Sequence, residues 1–260
     1  MKIAIVKLSA IGDIVHSMIV LQFIKSKRPE LIIDWFVDAD LKGVLENNPH
    51  INEIHSIKLK EVKKKKSIKL FINEITKLRR LKKYDLVIDM QNLIKSAFVT
   101  WMVPSVKTIG LDYNSSREKL ASIFYNQKLN IVHSSNVINR NISIINSSLG
   151  IDVSNMEIIN KEPYLFFKTN RIFSFLNDKP NILFIPGASF NSKIYPAKYF
   201  AEIANKMRGN FFAVWGSKSE RLIAEKIQSL SDKVVILDRL SFNELKSFIS
   251  NLDLVIGGDT

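Results

Sequence analysis

Short runs of consecutive apolar residues recur along the chain, separated by amphipathic stretches of helical period. Ile3 to Val6 is the first run. Ile14, Val15, Met18, Leu21, Phe23 and Ile24 then follow one helix face, which predicts a helix over 14–24 closing near Arg28-Pro29. Leu31 to Val37 reads as a second strand, 38–48 as a short helix, and Ile51 to Ile57 as a third strand. Leu70 to Leu81 carries Phe71, Ile72, Ile75 and Leu78 on one face and leads into a strand over Tyr84 to Met90. Val106 to Leu111 is a further strand, and 133–149 is helical. This alternation predicts a parallel sheet with helices on both faces.

Periodicity is poor between Gly150 and Asn177, so a boundary belongs there, dividing the chain into domains 1–165 and 166–260. The rhythm restarts at Asn181 to Ile185. It continues with a helix from Pro196 to Met207, a strand over Phe211 to Trp215, and a helix to about Leu230. A strand over Val234 to Ile236, a helix over Phe242 to Ile249 and a strand over Leu252 to Ile256 complete it. The reading is α/β, two doubly wound, Rossmann-like domains whose facing strand edges enclose a cleft.

Composition narrows the picture. The 260 residues, 46% apolar, suffice for two cores. No cysteine is present, which excludes disulfides, a thiolate nucleophile and a Cys-based metal site. The apolar run after Lys2 is too short for a signal-peptide core, and none approaches the roughly 20 residues of a membrane span. The expected location is cytosolic. A net charge of +13 favours an anionic partner, although lysine is heavily used throughout the chain. Lys58, Lys60, Lys63, Lys64, Lys65, Lys66 and Lys69 form one basic segment with only Glu61 to oppose them. Such a run is either a solvated loop or a surface for phosphates or anionic lipid. No aromatic residue interleaves with it, which argues against a nucleic-acid stacking platform.

Candidate chemistry gathers where strands end. Lys7, Ser9, Gly12, Asp13 and His16 follow the first strand, and Gln91 and Lys95 follow the strand ending at Met90. Open α/β sheets bind their ligands at that edge. Asp13 is either a chemical carboxylate or a helix-dipole cap. In the second half, Gly187, Gly216 and Gly257-Gly258 follow strands and let a backbone approach a phosphate. Lys193 is a phosphate ligand or a solvated lysine, and Glu220 a ligand or a helix cap. Neither Gly-x-Gly-x-x-Gly nor a Walker loop occurs. The residues themselves support a nucleotide or phosphate ligand between two domains, with no reaction specified.

Several of these loops together resemble the bacterial ADP-heptose:lipopolysaccharide heptosyltransferases. The matching segments are Lys7-x-Ser9-x-x-Gly12-Asp13-x-x-His16 and Asp89-x-Gln91-x-Leu93-x-Lys95-Ser96. Lys193-x-Tyr195-Pro196 has Tyr where the family has Trp. Trp215-Gly216 with Glu220 matches a nucleotide-contacting loop, and Asp259-Thr260 the start of a donor motif. Ser116 to Asn126 is most similar to the members that add the first heptose to Kdo.

The resemblance implies a GT-B glycosyltransferase that inverts the sugar carbon without a metal or other cofactor. Asp13 would be the base, and Lys193 would assist departure of ADP. Donor ADP-heptose would meet Ser9, Gly12, Ser189, Lys193, Glu220, Asp259 and Thr260. The Kdo-lipid A acceptor would meet Lys7, His16, Lys58, Lys60, Lys63, Lys64, Gln91, Lys95 and Arg117. It also implies peripheral contact with the anionic cytoplasmic face of the inner membrane, and no nucleic acid. The family continues past Asp-Thr with Gly-x-x-His, a helix and more sheet. The second domain is therefore expected to be incomplete, with an apolar sheet face exposed. Two alternatives stand beside this: a family member acting on a heptose acceptor, and a non-catalytic binder of nucleic acid or anionic surfaces through the basic segment.

Overall fold

The computed structural model describes residues 1–131, 136–168, 179–188 and 190–258. The chain divides into two compact units, Met1–Phe166 and Phe167–Thr260.

The first unit is built on a six-stranded sheet: β1 (Lys2–Val6), β2 (Ile32–Asp38), β3 (Glu53–Ile57), β4 (Tyr84–Asp89), β5 (Ser105–Leu111) and β6 (Gln127–Leu129). All pairings are parallel, in the order β3-β2-β1-β4-β5-β6. Ile3 to Val6 in β1, and Trp35 and Phe36 in β2, are fully buried, as a sheet covered on both faces requires. The order reverses between β1 and β4, where Val6 lies beside Asp89. Such a switch point opens a crevice at the C-terminal strand ends.

The helices of this unit are α1 (Ile11–Met18), α2 (Val20–Lys27), α3 (Lys42–Leu45), α4 (Leu59–Lys65), α5 (Ile68–Arg79), α6 (Ile94–Met102), α7 (Val137–Leu149) and α8 (Asn155–Ile159). The single helix predicted over 14–24 is two, although Ile19 between them keeps helical dihedrals (φ −54°, ψ −31°). Gly150, at φ 63°, ends α7 in the left-handed conformation that glycine adopts without a Cβ penalty. Residues 132–135, at the start of the predicted 133–149 helix, lie outside the described residues.

The basic segment is not a loop. Leu59–Lys65 forms α4, and Lys65 meets Glu61 one turn earlier at 2.6 Å. Lysine is a good helix former, and Glu followed four residues later by Lys is the favourable orientation of a helical ion pair. None of its residues is buried, so the lysines do stand in solvent.

The second unit repeats the βαβ rhythm: β7 (Asn181–Ile185), α9 (Ala197–Lys206), β8 (Asn210–Ala213), α10 (Lys218–Leu230), β9 (Val234–Ile236), α11 (Phe242–Ile249) and β10 (Leu254–Gly257). Its four parallel strands run in the order β10-β7-β8-β9. Phe184, Phe200 and Phe211 pack around one another in its core. Leu254 and Val255, on edge strand β10, are exposed. Among the described residues, no helix is long and apolar enough to cross a membrane.

Candidate active site

The loops after β1 and β4 are stitched together by side chains. Gln91 accepts hydrogen bonds on Oε1 from the backbone N–H groups of Leu8 (2.7 Å) and Ser9 (3.3 Å), and its Nε2 donates to Ser9 Oγ at 3.2 Å. Lys95 Nζ, from the first turn of α6, donates to the same hydroxyl at 2.7 Å. Ser9, Gln91 and Lys95 therefore form one polar cluster. Because Ser9 Oγ accepts from both neighbours, its own proton is left to donate outward. Ser9, expected among donor ligands, is thus held by two residues expected at the acceptor.

The β4–α6 loop rests on Asp89. Its buried carboxylate accepts from the Gln91 N–H (2.8 Å), the Asn92 N–H (2.9 Å) and the Tyr125 hydroxyl (2.8 Å). Burial pushes the Asp89 carboxyl up from its ordinary value, against the pull of these donors, and burial beside that carboxylate pushes the Tyr125 phenol up. Asn92, at φ 55°, accepts the Leu111 N–H at 2.6 Å, which ties the loop to β5. Glu118 accepts from the Ile94 N–H at 2.6 Å, at the start of α6.

Lys7 departs from its expected role as an acceptor ligand. It is only 7% exposed, and its Nζ donates to the Met90 carbonyl at 3.1 Å. Burial pushes its pKa down, while the carboxylates of Asp13 and Asp89 pull it back up. It is a cation beneath the loops, fixing their spacing.

Asp13 sits in the first turn of α1, exposed. One carboxylate oxygen accepts from the Ala10 N–H at 3.4 Å, a long and weak contact. Ala10 has no side-chain acceptor to complete a reciprocal cap, so capping explains little of this carboxylate. A Cβ on neighbouring Gly12 would meet nothing within 4 Å, which leaves the helix N-terminus open. His16 is exposed, and among the described residues its ring forms neither an ion pair nor a hydrogen bond with Asp13. Its carbonyl accepts from Asn141 Nδ2 at 3.2 Å.

The remaining basic candidates are spread out. Arg117, Lys63 and Lys64 are exposed. Lys60 is not unopposed, since its Nζ lies 3.3 Å from Asp38 and 3.9 Å from Asp40. Lys58 Nζ lies 3.9 Å from Glu61. The carboxylates opposing Lys60 come from the end of β2 and the turn after it, which no reading of the local sequence connects to that lysine.

In the second unit, Lys193 is exposed at the end of a short 3-10 turn, Asn191–Lys193. Its carbonyl occupies the space a Cβ on Gly258 would need, so only glycine permits that approach. Glu220 proves to be a cap. One oxygen accepts the Gly216 and Ser217 N–H groups at 2.6 and 2.9 Å, and Ser217 Oγ accepts the Glu220 N–H at 3.3 Å. This Ser-x-x-Glu capping box commits one oxygen to the N-terminus of α10, while the other lies where a Cβ on Gly187 would stand. Ser189, Asp259 and Thr260 lie outside the described residues.

A second buried cluster escaped the sequence reading. Asp34, in β2, accepts from the Tyr84 hydroxyl (2.7 Å) and Asn52 Nδ2 (2.8 Å), with Lys2 Nζ at 2.7 Å and His55 Nε2 at 3.4 Å. Burial pushes its carboxyl up, but these partners together hold it well below the usual range. Asp34, Glu53 and His55 are close enough to suggest a metal site. The imidazole, however, turns Nε2 to Asp34 and Nδ1 to Glu53, so the donors do not converge on one point, and the Lys2 ammonium already neutralises Asp34. The signal was legible: a carboxylate inside an apolar strand must be paired.

Comparison with known proteins decides the family. Residues 74–260 match the model of glycosyltransferase family 9 (heptosyltransferase). The chain belongs to this family. It is 34% identical to lipopolysaccharide heptosyltransferase 1 of Campylobacter coli, covering 100% of this chain and 79% of that protein. It is 25% identical to lipopolysaccharide heptosyltransferase 1 of Pseudomonas aeruginosa, with 100% and 74% covered. The structure of the Escherichia coli heptosyltransferase WaaC with ADP-2-deoxy-2-fluoro heptose is similar at a TM-score of 0.84 and 24% identity, covering 100% of this chain and 83% of that one. The heptosyltransferase fold here is accordingly α/β of GT-B type, and the chain is a glycosyltransferase. The family match spans Gln91, Lys95, Arg117, Lys193 and Glu220, and the likeness to the two relatives extends over the loop from Lys7 to His16 as well.

Proposed function

We propose that this heptosyltransferase moves a heptose from ADP-heptose to Kdo of the lipid A inner core, inverting the anomeric carbon and using no metal or other cofactor. The observation that carries the reading is the Ser9–Gln91–Lys95 cluster beside the exposed carboxylate of Asp13. That edge offers a base free of a strong partner, next to a cation and a hydroxyl donor suited to an anionic sugar. Similarity to several proteins named lipopolysaccharide heptosyltransferase 1 supports the choice of substrate class.

In this mechanism Asp13 takes the proton from the acceptor hydroxyl as that oxygen attacks the anomeric carbon. The glycosidic bond to ADP breaks in the same step, and Lys193, Ser189 and Thr260 stabilise the charge on the departing diphosphate. Gly12 leaves the N-terminus of α1 accessible to an anionic oxygen. Lys95 and Arg117 receive the Kdo carboxylate, Arg117 through its bidentate fork. Lys63 and Lys64 serve the lipid A phosphates, and Lys7 holds the loops in place from below. Glu220 orders the loop at Gly216 that faces the nucleotide. An acceptor embedded in lipid makes the enzyme a peripheral protein of the cytoplasmic membrane face.

Mass spectrometry of the products with ADP-heptose tests this. Addition of one heptose to Kdo-lipid A is expected, with none to an acceptor that already carries a heptose. The opposite preference would assign the chain to heptose acceptors instead.

A further inference from the structure

One surface of the first unit plays no part in that chemistry. Phe71 of α5 stacks on Phe98 of α6 (5.9 Å between ring centroids), Phe98 meets Trp101 (6.2 Å), and Trp101 meets Phe124 (6.0 Å) on the 3-10 segment Lys119–Phe124. The fold thus assembles a continuous aromatic row from residues up to 53 positions apart. Large aliphatic side chains flank it in the open: Ile68 is 75% exposed, Ile72 54%, Leu120 60% and Ile123 68%. Trp101 itself is half exposed, with the Arg79 guanidinium over its ring at 5.4 Å. Scattered exposed apolar residues need no explanation, but a contiguous patch on one face does.

The surroundings of the patch indicate its occupant. From residue 58 to residue 83, through α4, α5 and the turn beyond, there are twelve Lys and Arg against two Glu. Apolar and aromatic side chains rimmed by cations match a bilayer interface with anionic headgroups, where indole rings settle at the headgroup level. The patch also adjoins the candidate site. Ile94, 43% exposed, opens α6 immediately before Lys95, and Leu120 follows Arg117 by three residues.

We infer that the α5–α6 face, with Trp101 at its centre, inserts shallowly into an anionic lipid surface and sets the Ser9–Lys95 edge at the headgroup boundary. This rests on the reading of a lipid-borne acceptor, and it names the surface that meets the lipid. α4 supplies attraction through its lysines, and the aromatic row supplies the apolar anchor. The two contributions differ in their response to salt, because screening weakens only the first.

Vesicles free of both substrates provide the test. In a Trp215→Phe background, with phosphatidylglycerol vesicles carrying brominated acyl chains, Trp101 fluorescence is expected to be quenched, whereas Trp35, fully buried, is shielded. Trp101→Phe should abolish most of the quenching while co-sedimentation with the vesicles persists. The pair Ile72→Glu and Ile123→Glu should weaken vesicle binding about tenfold or more, with the urea midpoint and transfer to a deacylated, water-soluble acceptor both unchanged. Quenching that survives Trp101→Phe, or vesicle binding indifferent to the Glu pair, overturns the proposal. So does a dimer in analytical ultracentrifugation that the Glu pair dissociates, since the patch would then belong to a second copy. Vesicle binding without any heptose transfer would sink the proposed reaction and leave this surface standing. Transfer to the deacylated acceptor without vesicle binding would do the reverse.

Discussion

Replacing Asp89 tests how the loop that presents Gln91 is held. Asp89→Ala removes an acceptor from three donors at once, the Gln91 and Asn92 N–H groups and the Tyr125 hydroxyl. Each buried donor left unpaired costs about 1–3 kcal/mol. Gln91 is only partly buried and can regain a water, so the total expected is about 3–5 kcal/mol. Asp89→Asn is a different perturbation. Its side-chain oxygen can keep both backbone donors, and its amide can donate to the Tyr125 oxygen once that hydroxyl turns. The lost charge assistance is partly offset because a neutral group no longer has to be buried, leaving a net cost of about 1 kcal/mol or less. Urea unfolding followed by fluorescence in a Trp215→Phe background reports on the first unit alone, through Trp35 and Trp101. Asn as costly as Ala would show that the charge, and not the geometry of acceptance, holds the loop. A loss below about 1 kcal/mol for Ala would refute the whole assignment.

Other outcomes follow from the same structure. Lys95→Met should raise the acceptor KM about tenfold, the loss of one charge-assisted hydrogen bond, with the ADP-heptose KM unchanged in steady-state kinetics. The depressed pKa of Asp34 contributes stability at neutral pH that is lost as the pH falls below its unfolded value of 3.8. A series of urea midpoints against pH should therefore decline below that value, and decline less steeply in Asp34→Asn. Gly187→Ala would drive a Cβ to within 2.5 Å of the Glu220 carboxylate and push it off its cap, costing about 1–2 kcal/mol. Adding Glu220→Ala should then cost less than it does alone, as measured by a double-mutant cycle in urea.

The strands were legible because β1, β2, β4 and β7 are near-continuous apolar runs, and a sheet covered on both faces leaves that mark. β6 was not, since Gln127-Lys128-Leu129 is a short polar strand at the sheet edge. The basic segment was misread because like charge suggests a loop, while the Glu61–Lys65 pair and the helix propensity of lysine favour α4. In the site, the strand-end position of Asp13, Gln91 and Lys95 was visible, but the hydroxyl of Ser9 that joins Gln91 to Lys95 was not. That contact depends on β1 lying next to β4, a pairing of residues more than 80 positions apart. Lys7 illustrates the same limit, since a lysine ending a strand looks like a ligand until the fold buries it. The aromatic row needs three elements to meet, and no local pattern announces it.

The most direct test of the proposed chemistry is a single-turnover comparison of the wild-type protein with Asp13→Asn, at saturating ADP-heptose and Kdo-lipid A. With Asp13 as the base, the transfer rate should fall about a hundred- to ten-thousand-fold. ADP-heptose affinity by calorimetry should stay the same, because Asp13 acts on the acceptor oxygen. A transfer rate in Asp13→Asn equal to that of the wild type would contradict the assignment and return Asp13 to the role of a weak helix cap.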